Sequence, residues 1–353
     1  MAKGRLFLAS GLGALAGAAA TGRLISRRDG RRPDPAQNDA LGSLRGHPRV
    51  IRGPRASRLY TEWFPSKGGT GTVLLTHGYC LTEAAWHYQK RDLAGGRFGL
   101  ATWDLPGHGH SPGLAPGRLT LEFCADALAR VVDEYADGGV VLTGHSLGGV
   151  ITLAYLARHP ETAERLVKGA VIVSTPMMHF ARSVAGRWPG ASIEARALGK
   201  GMQVLVESGL TERVLGKDMG RAQLGLSYRV VRWGFGRSPS PSQVLFVRDA
   251  IASVRPDVRA ETYRVMTGAD LSRLLPEIKV PALVMIGGRD RLVNPVESRM
   301  ILELLPKARL VEFAGAGHAA FLEDHDRFNA ELRRFAARRL LQNGSRRNGK
   351  RPA

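Results

Sequence analysis

Cysteine is scarce in this chain of 353 residues, with only Cys80 and Cys124 present. Two cysteines are too few for a disulfide framework, and they lack the paired spacing of a zinc site. A long apolar run is also missing, since the stretch over residues 6–20 has about 15 positions and a bilayer span needs roughly 17 to 25. What remains is ordinary globular usage, with 44% hydrophobic and 23% charged residues. This composition excludes collagen-like and fully disordered chains, and the length allows one large domain with an insertion or two smaller domains.

The formal net charge of +20 is concentrated at the two ends of the chain. Residues 1–32 carry +6 and residues 333–353 carry +8, whereas the 300 residues between them carry the remaining +6. Basic tails bind anionic surfaces, either phospholipid or nucleic acid, without reading a base sequence. An arginine-rich genome explains the same charge equally well. We therefore expect no specific nucleic-acid partner.

Residues 1–26 have features of an export signal or a membrane anchor. Lys3 and Arg5 precede the apolar stretch, and Ala18-Ala19-Ala20 would serve as a cleavage site. Five arginines follow within about a dozen positions, and positive charge after an apolar stretch resists translocation. The sequence favours a membrane-associated protein, held through residues 6–25 and the basic tails. Export after cleavage and a cytoplasmic protein with a non-membrane arm remain open.

The folded part is predicted to begin at residue 57, after a linker over residues 27–56 that is rich in arginine, proline and glycine. Short apolar strands then alternate with helical segments, which predicts βαβ units and a mostly parallel sheet flanked by helices. The predicted strands are 57–63, 71–76, 98–104, 140–144, 170–174, 282–286 and 309–313, and the predicted helices are 82–93, 120–135, 147–158, 295–305 and 323–341.

The alternation breaks between residues 177 and 275. This stretch is mostly helix-like and too long for a bare loop. We interpret 177–275 as an inserted cap or lid, 57–176 and 276–341 as the α/β core on either side of it, and 342–353 as a basic tail.

The most informative segment is Gly144-His145-Ser146-Leu147-Gly148, where a strand ends and a helix begins at once. In this setting G-x-S-x-G is a tight turn that needs its glycines and holds the serine on a strained backbone with its hydroxyl exposed. The helix N-terminus also favours negative charge that develops beside Ser146. Taken alone, the pattern is short enough to be a glycine-rich turn with a spectator serine.

A serine nucleophile needs a histidine base that an acid holds in place, and both follow later in the chain. Asp290 comes directly after the predicted strand 282–286, and His318 lies in the loop after strand 309–313. Catalytic groups of open parallel sheets gather at the carboxyl ends of the strands. We therefore expect Ser146, Asp290 and His318 on one edge of the sheet.

From residue 57 to 341 the chain resembles the α/β-hydrolase fold superfamily. Five motifs match in family order: His77-Gly78-Tyr79, Asp104-Leu105-Pro106-Gly107-His108-Gly109-His110-Ser111, Gly144-His145-Ser146-Leu147-Gly148-Gly149, Gly288-Arg289-Asp290 and Gly317-His318. The resemblance implies the α/β-hydrolase fold with an inserted, mainly helical cap. It also implies that Ser146 is the nucleophile, that His318 is the general base and then acid, and that Asp290 orients His318.

The oxyanion hole is expected from two backbone N–H groups. One belongs to Leu147, directly after the nucleophile, and the other to Tyr79, in the loop after an early strand. His108 and His110 could be mistaken for metal ligands, but no cysteine or carboxylate set stands at zinc-like spacing. We expect no metal ion and no cofactor.

The predicted cap is rich in methionine and aromatic residues, which suit an adaptable apolar acyl pocket or simply fill core gaps. They are Met177, Met178, Phe180, Trp188, Met202, Met219, Trp233, Phe235, Phe246 and Met266. The favoured function is a serine hydrolase that cleaves carboxylic esters, with a small-molecule, lipid-like or other apolar acyl ester as substrate, through an acyl-enzyme. A cofactor-free haloperoxidase or perhydrolase, a C–C bond hydrolase and a catalytically silent ligand-binding protein are the alternatives.

Overall fold

The computed structural model describes residues 33–69, 71–177 and 231–341. Within these residues, eight strands form one sheet: β1 (His47–Arg52), β2 (Arg58–Phe64), β3 (Thr72–Thr76), β4 (Gly99–Trp103), β5 (Val140–His145), β6 (Val167–Val173), β7 (Ala282–Gly287) and β8 (Ala308–Phe313). The α-helices with both ends inside these ranges are α1 (His87–Leu93), α2 (Leu121–Tyr135), α3 (Leu147–Arg158), α4 (Pro160–Leu166), α5 (Pro241–Ser253), α6 (Pro256–Gly268), α7 (Pro295–Leu304), α8 (Ala320–Glu323) and α9 (His325–Leu340).

The strands lie in the order β1-β2-β4-β3-β5-β6-β7-β8. The β1–β2 and β2–β4 pairs are antiparallel, whereas every pair from β4 to β8 is parallel. This mostly parallel sheet with flanking helices confirms the predicted fold class. The central strands β3, β4 and β5 are buried throughout their lengths, as apolar strands covered on both faces should be.

Successive side chains of a strand point to opposite faces, and the core is divided accordingly. Leu74 of β3 and Leu142 of β5 belong to an apolar cluster that includes residues of α2, α3 and α7. Val73 and Val141 belong to a second cluster, which includes residues of α8 and α9. The helices therefore stabilise the sheet from both sides.

Strand β1 corrects the predicted linker over residues 27–56. His47–Arg52 pairs with β2, from His47 opposite Trp63 to Arg52 opposite Arg58. Five of its six residues are exposed, because β1 lies at the edge of the sheet and buries almost no side chain. An apolar alternation is absent for that reason, and composition alone suggested a linker.

Helices α5 and α6 lie in the described part of the predicted cap, residues 231–275. Residues 178–230 of that cap lie outside the described residues, as do residues 1–32 and 342–353, on which the predicted anchor and basic tails fall. Across the described ranges, every helix is too short or too polar to span a bilayer.

Candidate active site

Ser146 joins β5 to α3 in a strained backbone conformation, with φ 52° and ψ −117°. A non-glycine residue at such angles costs about 1 to 3 kcal/mol, so its surroundings must hold it there. The Ser146 N–H donates to the carbonyl of Val173 at 2.8 Å, and its own carbonyl accepts from the N–H groups of Gly149 and Val150 at 2.9 and 3.1 Å. The neighbouring strand and the first turn of α3 thus fix the turn predicted from the sequence.

Two glycines allow α3 to start so close to the sheet. A Cβ atom on Gly144 would lie 2.3 Å from the Gly148 carbonyl oxygen, and one on Gly148 would lie 2.3 Å from the carbonyl oxygen of Thr76. Any side chain at either position would push main chain against main chain. The glycines of this motif are therefore needed for packing around the turn.

His318 and Asp290 are brought together by the loops that follow β8 and β7. The His318 Nδ1 atom lies 2.8 Å from Asp290 Oδ2, and the other oxygen of Asp290 accepts from the N–H groups of Leu292 and Val293, both at 2.9 Å. These two N–H groups hold the Asp290 carboxylate in the position from which it contacts the His318 ring. Because Nδ1 is engaged by the carboxylate, Nε2 is the ring nitrogen left to meet a hydroxyl.

His145, the residue before Ser146, holds the histidine loop against the turn. Its Nε2 lies 3.0 Å from the His318 carbonyl oxygen, and the two ring centroids are 4.7 Å apart. Burial lowers the pKa of His145 well below its ordinary value, so the neutral ring donates its Nε2 hydrogen to that carbonyl. Within the described residues, no hydrogen bond joins the Ser146 hydroxyl to the His318 ring. In enzymes without bound substrate this contact is often long.

The predicted oxyanion loop lies directly against the same turn. A Cβ atom on Gly78 would lie 2.7 Å from His145 Nδ1, so the main chain that leads to Tyr79 contacts the residue before Ser146. His77 fixes the loop, since its Nε2 accepts from the N–H of Leu105 at 3.0 Å and its Nδ1 donates to the Gly78 carbonyl at 2.8 Å. Burial lowers the pKa of His77 to about 3, which keeps the ring neutral.

The second predicted donor, the N–H of Leu147, is the first of helix α3. The first four N–H groups of an α-helix have no partner within the helix, so this N–H is available to a ligand oxygen. The structure thus brings the Leu147 and Tyr79 segments to the same turn as Ser146.

Asp104 shapes the loop beside the site. Its carboxylate accepts from the N–H groups of Glu83 and His110, both at 2.8 Å, and burial raises its pKa to about 7. The thiol of Cys80, which follows the oxyanion loop, is buried, and burial raises its pKa to about 12. A thiol with so high a pKa carries almost no thiolate at neutral pH and is a poor nucleophile.

One group among the described residues offers three potential metal ligands, namely Asp92, His325 and Asp326. Asp92 already accepts a hydrogen bond from Asn329 at 2.7 Å and pairs with Arg91. Exposed groups of this kind are common without an ion, and this one is separate from the loops that carry Ser146 and His318.

Several methionine and aromatic residues of the predicted cap serve the core. Met177 and Met266 are 3% and 2% exposed in one apolar cluster, and Phe235 is 2% exposed in the other. Trp233 and Phe246 are partly buried, and the remaining five residues of that set lie outside the described residues. Core packing therefore accounts for three of the residues that could have lined an acyl pocket.

The sequence gives no reason to single out Glu323, which it predicts only as the start of the last helix. In the structure its carboxylate accepts a hydrogen bond from the N–H of Gly317, directly before His318. A lone acidic residue at a helix boundary gives no sequence signal for such a contact.

A model of the alpha/beta hydrolase family matches residues 73–331. The chain belongs to this family. It is 33% identical over 270 residues to the pimeloyl-(acyl-carrier protein) methyl ester esterase of Stenotrophomonas maltophilia (strain K279a). The aligned region covers 75% of this chain and 92% of that esterase. The match confirms the family resemblance drawn from the five motifs.

Solved structures agree with the fold of this hydrolase-family chain. A thermophilic esterase from Thermogutta terrifontis superimposes with a TM-score of 0.65 and 25% identity, covering 82% of this chain and 98% of the esterase. An esterase from Exiguobacterium antarcticum has a TM-score of 0.66 at 22% identity, covering 83% and 99%, and shows the shared fold.

Proposed function

We propose that this protein hydrolyses carboxylic esters through an acyl-enzyme, with Ser146 as the nucleophile, His318 as the general base and Asp290 as the group that orients His318. The observation that carries the proposal is the 2.8 Å contact between Asp290 and His318 on the sheet edge where Ser146 stands on a strained turn. Family membership and the esterase relatives support ester hydrolysis as the reaction class.

The first half of the reaction forms the acyl-enzyme. The Ser146 oxygen attacks the ester carbonyl carbon while its proton passes to Nε2 of His318. The resulting imidazolium faces the Asp290 carboxylate through Nδ1, which stabilises the charge. When the tetrahedral intermediate collapses, the ester C–O bond breaks, and His318 returns the proton to the departing alcohol oxygen.

The second half consumes water. His318 takes a proton from the water molecule that attacks the acyl carbon, and the Ser146 oxygen leaves and recovers that proton. The products are an alcohol and a carboxylic acid. In both halves the carbonyl oxygen becomes negative, and we assign its stabilisation to the backbone N–H groups of Leu147 and Tyr79.

The substrate is proposed to be an acyl ester of a small alcohol, either a free apolar acyl ester or a methyl ester on a carrier-bound chain. The first follows from the apolar character of the predicted cap. The second is favoured by the name of the relative from Stenotrophomonas maltophilia, which acts on a methyl ester attached to an acyl-carrier protein. Association with a membrane through residues 6–25 remains part of the proposal and would bring a lipid-like ester to the enzyme.

Active-site labelling tests the nucleophile. A fluorophosphonate probe should label the wild-type protein at neutral pH, with the modified peptide containing Ser146. Ser146→Ala should abolish labelling without changing the circular dichroism spectrum. Ser253→Ala, on the exposed end of α5, is the matched control and should label like wild type. An unlabelled, well-folded wild-type protein would refute the proposal.

Substrate choice is tested separately by turnover. The assay should compare kcat/KM for three kinds of substrate. These are p-nitrophenyl esters with acyl chains of two to twelve carbons, a free dicarboxylate monomethyl ester, and the same methyl ester on an acyl-carrier protein. A preference for the carrier-bound ester over the free one would favour the second substrate class. A monotonic rise with acyl length on free esters would favour the first.

A further inference from the structure

Two distant stretches of backbone lie side by side next to His318. Residues 234–237, within the predicted insertion 177–275, run along residues 315–318, the loop after β8. The His318 N–H donates to the Gly234 carbonyl at 2.7 Å, and the Arg237 N–H donates to the Gly315 carbonyl at 3.2 Å. The proposed general base is therefore bonded through its own backbone to the insertion.

The two stretches approach as closely as backbones can. A Cβ atom on Gly236 would lie 2.1 Å from the Gly315 oxygen, and one on Gly317 would lie 2.3 Å from the Gly234 oxygen. Phe235, between the two glycines of the insertion, is buried in the apolar core and anchors its stretch there. This pairing has little freedom to slide.

Glu323 fills the remaining gap in the pairing. Its Oε2 atom accepts from the Gly236 N–H at 2.6 Å, and its Oε1 atom accepts from the Gly317 N–H at 2.8 Å. These two N–H groups belong to opposite stretches and lie between the two direct backbone bonds. One carboxylate thus bridges both stretches, and it does so at the residue directly before His318.

Burying the Glu323 carboxylate costs free energy, although it provides acceptors for two N–H groups. Burial, aided by the negative charge of Asp290, raises the pKa of Glu323 to about 7, although the hydrogen bonds from the Gly236 and Gly317 N–H groups act to lower it. A buried acid that disfavours its own charge is a poor choice for stability alone. Its geometry is nevertheless specific, because the two oxygens reach one N–H on each stretch.

We propose that Glu323 is a positioning residue for His318: it aligns His318 by holding the Gly317 backbone against Gly236 of the insertion. This inference rests on the proposed role of His318 as general base and acid. A neutral amide at residue 323 has one acceptor oxygen, so it would satisfy one N–H and point its own N–H₂ group at the other. The bridge would open on one side, and the His318 backbone would shift.

The consequence for catalysis depends on the leaving group. An alkoxide is a poor leaving group and needs the proton that His318 returns, whereas p-nitrophenolate leaves without one. Misalignment of His318 should therefore slow the hydrolysis of an alkyl ester more than that of a p-nitrophenyl ester with the same acyl group. A loss of folded protein would lower both rates equally. The ratio of the alkyl-ester rate to the p-nitrophenyl-ester rate therefore reports the alignment of His318 alone.

The experiment compares kcat/KM for the ethyl and p-nitrophenyl esters of one acyl chain in wild type, Glu323→Gln and Glu331→Gln. Glu331 of α9 is partly buried, pairs with the exposed Arg334 and is the matched control. We expect Glu323→Gln to lower the ethyl to p-nitrophenyl ratio by roughly 10-fold to 100-fold, because displacements near 1 Å cost about that much in positioned reactions. Glu331→Gln should leave the ratio unchanged.

Each result decides whether Glu323 positions His318 for catalysis or only stabilises the fold. Equal losses on both esters in Glu323→Gln would overturn the proposal and leave Glu323 a structural residue. If that variant fails to fold, Glu323→Asp replaces it, since a shorter carboxylate reaches one N–H and should lower the ratio by a smaller factor. An unchanged ratio in folded Glu323→Asp would then overturn the proposal. Wild-type protein that cleaves neither ester would instead refute the proposed function.

Discussion

Gly148→Ala is a sharp test of how the nucleophile turn and the oxyanion loop are packed together. The added Cβ would lie 2.3 Å from the Thr76 oxygen and 2.5 Å from the His77 oxygen, both main-chain atoms. Ordinary contact distances require the start of α3 and the end of β3 to separate by about 1 Å. Overpacking of this kind costs about 1 to 3 kcal/mol, against a helix-propensity gain of at most about 1 kcal/mol for alanine.

The displaced atoms belong to the segment that leads into the Tyr79 N–H. The substitution should therefore lower kcat strongly while the protein stays folded. Loss of one oxyanion donor lowers turnover about 10²-fold to 10³-fold, and we expect kcat of Gly148→Ala to fall towards that range with a small change in KM. Urea unfolding gives the free energy of unfolding, and p-nitrophenyl ester hydrolysis gives kcat.

Gly268→Ala is the control for this substitution. Gly268 is the last residue of α6, and none of the described atoms beyond its own stretch of chain comes within 4 Å of a Cβ placed there. The same chemical change should be neutral or stabilise by up to about 1 kcal/mol and leave kcat unchanged. A Gly148→Ala protein as stable and active as Gly268→Ala would refute the packing argument.

Three further predictions concern buried polar groups outside the proposed Ser146, Asp290 and His318 triad. Burial lowers the pKa of His108 to about 4, so stability present above pH 6.5 is lost as pH falls towards 4. Urea titrations should find a steeper fall over this range in wild type than in His108→Gln, by at most about 1.4 kcal/mol per pH unit. Lys90 lies buried between Glu62 and Glu83, so Lys90→Met should leave these buried carboxylates, among the described residues, with only the half-exposed Arg45 as a cationic partner and cost about 3 to 5 kcal/mol. Arg334→Met, which breaks an exposed pair, should cost at most about 1 kcal/mol, and equal losses would contradict the role of burial. Both cysteines are buried with pKa values raised to about 12, so Ellman's reagent should find no reactive thiol in the native protein and two after unfolding.

The strand-to-helix turn at Ser146 could be predicted because its requirements are local in sequence. The strand, the glycines and the helix start lie within ten residues, and each is needed for the same backbone geometry. The loops of Asp290 and His318 could be placed for a related reason, since each directly follows an apolar strand of a parallel sheet. The contact between the two side chains follows once β7 and β8 are neighbours.

Elements that depend on distant partners could not be predicted in the same way. Strand β1 exists because β2 offers it a free edge, and five of its six residues are exposed, including the apolar Val50. Helix α4 begins at Pro160, only two residues after α3 ends at Arg158, and the sequence predicts α3 with the same bounds but no separate helix after it. For β1 the deciding interaction lies outside the segment itself.

His318 is held both by a contact that the motifs predict and by backbone contacts from distant segments of the chain. Its ring is held by Asp290, its carbonyl by His145 at the end of β5, and its N–H by Gly234 within the insertion. The motifs account for the ring contact alone, because the backbone contacts join segments that are more than 80 residues apart. A chain that kept Ser146, Asp290 and His318 but altered residues 234–236 would retain every motif while changing the backbone on which the proposed general base stands. The insertion is therefore expected to affect the chemical step as well as substrate choice, and cap variants should be compared by kcat on a small ester that makes few cap contacts.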